Sequence, residues 1–113
     1  MAKNQIRARY EELRSLAFGS IGATYAAVGT PFVHPVRIIK VFNDTDVNLV
    51  ISFDGSTNQD ISPSGSGHVI DYSANRATNG GQLEQAASET LYIKQESGAA
   101  SSGSFYVTII YAS

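Results

Sequence analysis

Residues 36–55 read VRIIKVFNDTDVNLVISFDG, and this stretch decides the fold. Its first seven residues are mostly β-branched or aromatic, the composition of a strand. They stop at Asn43-Asp44-Thr45-Asp46, a run of turn formers. In residues 47–53, Val47, Leu49, Ile51 and Phe53 alternate with Asn48, Val50 and Ser52, the period-two pattern of a half-buried strand. Asp54-Gly55 then signals another turn.

The same grammar continues toward the C-terminus. A polar loop, SFDGSTNQDISPSGSG (52–67), precedes a short strand, HVIDY (68–72). After the loop ANRATNGGQ (74–82) come TLYIK (90–94), QESGAASSG (95–103) and SFYVTIIYA (104–112). In that last strand Phe105, Val107, Ile109 and Tyr111 share one face, while Tyr106, Thr108 and Ile110 share the other. A strand apolar on both sides is expected in the centre of a sheet or at an interface.

Toward the N-terminus the pattern changes. In KNQIRARYEELR (3–14), Ile6, Tyr10 and Leu13 stand at i, i+4 and i+7, the stripe of a short helix. Residues 15–35 are rich in Gly and Ala, with Leu16, Phe18, Ile21, Tyr25, Val28 and Phe32 spaced between them. Gly19, Gly22 and Gly29 disfavour a helix there, and Pro31 and Pro35 end one. An extended arm or one irregular strand is expected, its apolar residues covered either by its own domain or by a neighbour.

Five strands plus one in this segment, without helical patterns between them, exclude a doubly wound α/β fold. The expectation is an all-β protein: an antiparallel β-sandwich or small jelly roll with an extended N-terminal arm. The arm spans residues 1–35, a short helix and then a Gly/Ala-rich segment, and the sandwich spans residues 36–113.

Composition narrows the function. The chain has 113 residues, enough for one domain with its own core. With no cysteine, it has no disulfide framework, thiolate metal site or thiol nucleophile. No apolar run approaches the ~20 residues of a membrane span, and the N-terminus lacks the apolar core of a secretory signal. A membrane is therefore not expected as a partner, and a charge total near zero gives no reason to expect nucleic acid. The net charge is −2, but its distribution is uneven. Residues 1–40 carry six cations against two carboxylates, net +4; residues 41–113 carry two against eight, net −6.

Candidate chemistry is sparse. Asp54, Ser56, Asn58 and Asp60 occupy positions 1, 3, 5 and 7 of a calcium-type loop. Gln59 replaces the required glycine, however, and Gly65 stands where the bidentate glutamate belongs. His34 and His68 lie far apart with no ligand spacing between them. The serines cluster in Gly/Ser loops without a nucleophile elbow, and Gly65, Gly67, Gly80 and Gly81 lack a phosphate-binding lysine. These features argue against an enzyme and imply neither cofactor nor metal. Tyr92 and Tyr106, on the less apolar strand faces, are candidates for glycan contact, since tyrosine offers a flat ring and a polar tip.

Finally, four blocks together resemble small virion structural proteins of tailed bacteriophages. They are SLAFGSIGATYAAVGTPFVHPVRIIKVFNDTDVNLVISFDG (15–55), GHVIDYSANR (67–76), TLYIKQESG (90–98) and GSFYVTIIY (103–111). The resemblance covers residues 15–112. It implies a virion protein, made in the host cytoplasm, that decorates or cements the capsid or serves in head–tail joining or the tail. Its partners would be itself, as a homo-oligomer, and the major capsid protein or portal and tail proteins. An arm bearing Arg7, Arg9, Tyr10, Arg14, Leu16, Phe18, Ile21 and Tyr25 would then bury its apolar side chains on a neighbouring subunit.

Overall fold

The computed structural model describes residues 7–72 and 85–112. Among these residues, nine strands form two antiparallel sheets, as expected of an all-β sandwich. They are β1 (Ala8–Tyr10), β2 (Arg14–Ala17), β3 (Ala26–Ala27), β4 (Val36–Asn43) and β5 (Leu49–Ser52). After them come β6 (Asp60–Ser62), β7 (Ser66–Asp71), β8 (Tyr92–Gln95) and β9 (Ser104–Ala112). One sheet runs β1-β9-β4-β7, with β2 also paired to β9; the other runs β3-β8-β5-β6.

The strands read from 36–42, 47–53, 68–72, 90–94 and 104–112 all exist, with shifted ends. β6 adds a strand inside a segment read as loop; Asp60-Ile61-Ser62 is too short to show a period. The loop read at 74–82 lies outside the described residues.

β9 is the spine. Phe105, Val107 and Ile109 are fully buried on its inner side, facing Ile39 and Val41 of β4. Leu49, Ile51, Leu91 and Ile93 close the core from the second sheet. β5 departs from the alternating pattern: Val50 and Ser52 are buried along with Leu49 and Ile51. Val50 lies between Lys94 and Ile61, its neighbours across the sheet, and the Ser52 hydroxyl is bonded within the turn that follows.

The helix expected over residues 3–14 is corrected for its described part. Ala8–Tyr10 and Arg14–Ala17 are strands on β9, and residues 3–6 lie outside the described range. Strand pairing overrides the weak helical stripe, because so short an isolated helix is marginal. Between Tyr10↔Ile110 and Arg14↔Val107, the N-terminal strand uses one more residue than β9. That bulge turns Leu13 out to 58% exposure and aims Arg14 inward, at 7%. A matching irregularity at Arg37 keeps both Val36 and Ile39 inside.

Residues 7–35 therefore enter the sheets of the same sandwich. Ile21, Val28 and Phe32 are buried in the common core, with Leu16 packed against it.

Candidate functional site

Three polar arrangements stand out, and each is built by strand register. The first forms where the bulge after β1 meets the loop before β4. Arg14 Nη2 donates to Glu11 Oε1 at 2.8 Å, and His34 Nδ1 lies 2.8 Å from Glu11 Oε2. Glu11 Oε2 also accepts the backbone N–H groups of Val33, at 3.1 Å, and His34, at 2.8 Å. Arg14 donates onward to the carbonyls of Thr30, at 2.9 Å, and Pro31, at 3.0 Å, and its guanidinium lies 5.5 Å from the Phe32 ring centre. The His34 ring stacks on Tyr111 at 3.6 Å.

Both charged side chains are almost wholly buried. Burial pushes the Glu11 carboxyl up, but hydrogen bonds from His34, Arg14 and the Val33 and His34 amides outweigh it, and its pKa is lowered. Glu11 accepts from four groups, as fully as a carboxylate can, so the cluster acts as a clamp between loop and strand.

The second arrangement joins the two sheets. Asn43 Nδ2 donates to the carbonyls of Val47, at 2.9 Å, and Ser62, at 2.8 Å. Its Oδ1 accepts from the Thr45 amide at 3.0 Å and the Thr45 hydroxyl at 2.6 Å. At the sandwich edge, His68 Nε2 of β7 lies 2.9 Å from Asp60 Oδ2 of β6. Both histidines thus have carboxylate partners, one 23 residues away and one 8 residues away. Nothing local in the sequence signals either pair.

The third is an open groove of about 710 Å³ on the outer side of the four-stranded sheet. Val50 and Ile61 form apolar floor, and Asn58, Asp60, Lys94 and Glu96 supply polar groups. Lys94 Nζ lies 4.8 Å over the Tyr25 ring, and the Tyr25 hydroxyl donates to Asn58 Oδ1.

The calcium-like spacing brings only Ser56 Oγ to Asp54, at 3.4 Å, while the other two side chains turn to different partners. Asp54 Oδ1 accepts from the amides of Ser56 and Thr57, each at 2.8 Å, and from the Ser52 hydroxyl at 2.7 Å. These bonds hold its carboxyl well below the usual carboxylate range. Asp60 turns to His68 and Asn58 to Tyr25. The loop is a self-bonded Asx turn.

The residues singled out for subunit contact divide. Arg14 and Ile21 are buried, Leu16 is half-buried against the core, and Tyr25 is half-buried beneath Lys94. Arg7, Arg9, Tyr10 and Phe18 remain exposed. Tyr92 and Tyr106 both alternate with buried inward neighbours, but on different sheets. They point out of opposite sides of the sandwich and cannot form one platform. No protein-family model, curated protein or solved structure matches this chain.

Proposed function

We propose that this protein is a non-enzymatic structural component of a tailed-phage virion, most simply a capsid decoration or cement protein. The reading rests on the resemblance of residues 15–112. The observation that carries it further is the exposed apolar side chains at the N-terminal edge of the sandwich. Tyr10 is 65% exposed, Leu13 58% and Phe18 40%, beside the exposed cations Arg7 and Arg9. These groups are strung along one sheet edge, Tyr10 opposite Ile110 and Phe18 just beyond Ser104; apolar exposure along an edge suits a contact surface, and the cations at the Tyr10 end suit an acidic neighbour. The neighbour would be the major capsid protein. A head–tail connector or tail component would use the same surface against portal or tail proteins.

Copy number in purified particles separates these two. Quantitative mass spectrometry is expected to find hundreds of copies for a decoration protein; six or twelve would assign it to the tail axis. Removing residues 1–30 would strip β1, β2 and core residues, so point changes are the cleaner test. Tyr10→Ala with Phe18→Ala should reduce incorporation into particles by at least about tenfold while the chain stays folded. Full incorporation would reject the contact.

The groove beside Tyr25 favours a second reading, a carbohydrate-binding module. Its apolar floor and convergent amide and carboxylate groups suit a sugar, with Tyr25 beside them holding Asn58 and Lys94 in place. A glycan array without signal, or binding unchanged in Tyr25→Ala and Asn58→Ala, removes it.

A further inference from the structure

The outward face of the five-stranded sheet is apolar where an antiparallel sheet facing water would alternate to polar. Register places Tyr10, Ile110 and Ile38 side by side in one row across β1, β9 and β4. Two residues along, Val69 flanks Lys40; two further, Tyr106 stands beside Phe42, which lies over Gly67. Phe42 is 44% exposed and Val69 56%. The strands β9 and β4 are thus apolar on both faces, the signature of a sheet covered on both sides. Among the described residues, only the inner side is covered. Being central in its sheet satisfies β9's backbone, not its second face.

We infer that this face is where a second copy of the chain docks, sheet on sheet, about a two-fold axis parallel to the strands and between β9 and β4. Area supports that occupant. Nine residues at ~3.4 Å and four strand widths at ~4.8 Å give roughly 600 Å² per copy. A pair then buries about 1,200 Å², the lower bound for a specific protein interface. Charge selects the axis. Lys40 is near the centre, and an axis running across the strands would set it against the second copy's Lys40. The axis along the strands places it over the second copy's Thr108 instead. It also sets Phe42 against the second copy's Tyr106 and Ile38 against the second copy's Ile110. Among the described residues, Asp71 stands at the β7 rim, and Arg7 and Arg37 line a hollow with Ile38 and Ile110 toward one end of the face, so Lys40 is the charge of its central row.

The inference does not rest on the virion reading, because the isolated chain suffices to test it. Sedimentation equilibrium of the full chain over about 1–200 µM should give a reversible dimer, an affinity range fitting an interface of this size. Phe42→Asp should weaken association by at least about tenfold, as loss of a central aromatic anchor does. Val69→Asp, at a position too exposed to matter for folding, should weaken it by about fivefold. Ile61→Asp, on the opposite sheet, should leave it unchanged. A monomer throughout would overturn the inference and leave the face to a different virion protein. A dimer insensitive to both Phe42→Asp and Val69→Asp, or one equally sensitive to Ile61→Asp, would overturn it too.

Discussion

Gly103 adopts φ 88°, and a Cβ built there would stand 1.9 Å from the Asp44 carbonyl oxygen. The turn into β9 passes so close to the β4–β5 connection that only glycine fits. Gly103→Ala should cost about 3 kcal/mol, strain and clash together, read as a lowered urea midpoint. Asn43 is the corresponding buried polar position. Asn43→Ala takes the side-chain partner from the buried Ser62 carbonyl and the Thr45 amide, while the Thr45 hydroxyl keeps the Val47 carbonyl, and should destabilise by about 2–4 kcal/mol in the same measurement. Glu11 makes a pH prediction. Its carboxyl is lowered in the folded state, so its contribution is complete above the ordinary carboxyl range, pH ~4.5. That contribution fades as pH falls through the folded value. Glu11→Gln should therefore be less stable than wild type at neutral pH, with the gap closing toward pH 3. A gap constant with pH would show that Glu11 does not act through its charge. None of these three roles is legible in sequence, where Asn43 is one more turn former and Glu11 one more surface charge. Each depends on a partner brought from a distant segment.

At the scale of elements, β9 carries the sandwich. Its strict alternation, visible in SFYVTIIYA, correctly separates Phe105, Val107 and Ile109 from Tyr106, Thr108 and Ile110. Ile109→Ala should cost about 2–5 kcal/mol by opening a cavity in the core, while Thr108→Ala next to it should change stability by less than about 0.5 kcal/mol. Equal effects in urea denaturation would contradict the burial pattern. The N-terminal strands were not legible for a specific reason. Their pairing includes a bulge, and one extra residue breaks the period of two and leaves Ile6, Tyr10 and Leu13 at helical spacing. Lengths of two or three residues, as in β3 and β6, are likewise too short for a period to emerge. The site suffered in the same way. The calcium-like spacing in DGSTNQD was an accident of turn chemistry, and the real partners of its side chains are Tyr25 and His68.

At the scale of the molecule, β9 pairs with residues 8–17 near the other end of the chain, so the largest sheet closes only after nearly all of the chain is in place. Such non-local closure makes folding slow, on the order of milliseconds to seconds. Stopped-flow refolding checks this, and a microsecond phase carrying the full amplitude would refute it. Hydrogen exchange should find the slowest amides in β4 and β9 and faster exchange in β1 and β3, which sit at sheet edges. Sequence by itself determined the all-β class, the strand segments after residue 36 other than β6, and the two-faced apolar character of β9, because these are set by local periodicity and turn chemistry. It also determined the uneven charge, +4 over residues 1–40 against −6 beyond. Only the tertiary structure decided where that charge and those apolar groups go. Arg14, Leu16 and Ile21 face the sandwich's own core, whereas Tyr10, Phe42 and Val69 are left on the surface. The reason is register: which face a strand residue occupies follows from its pairing partner and from single-residue bulges, and neither is encoded within the strand itself.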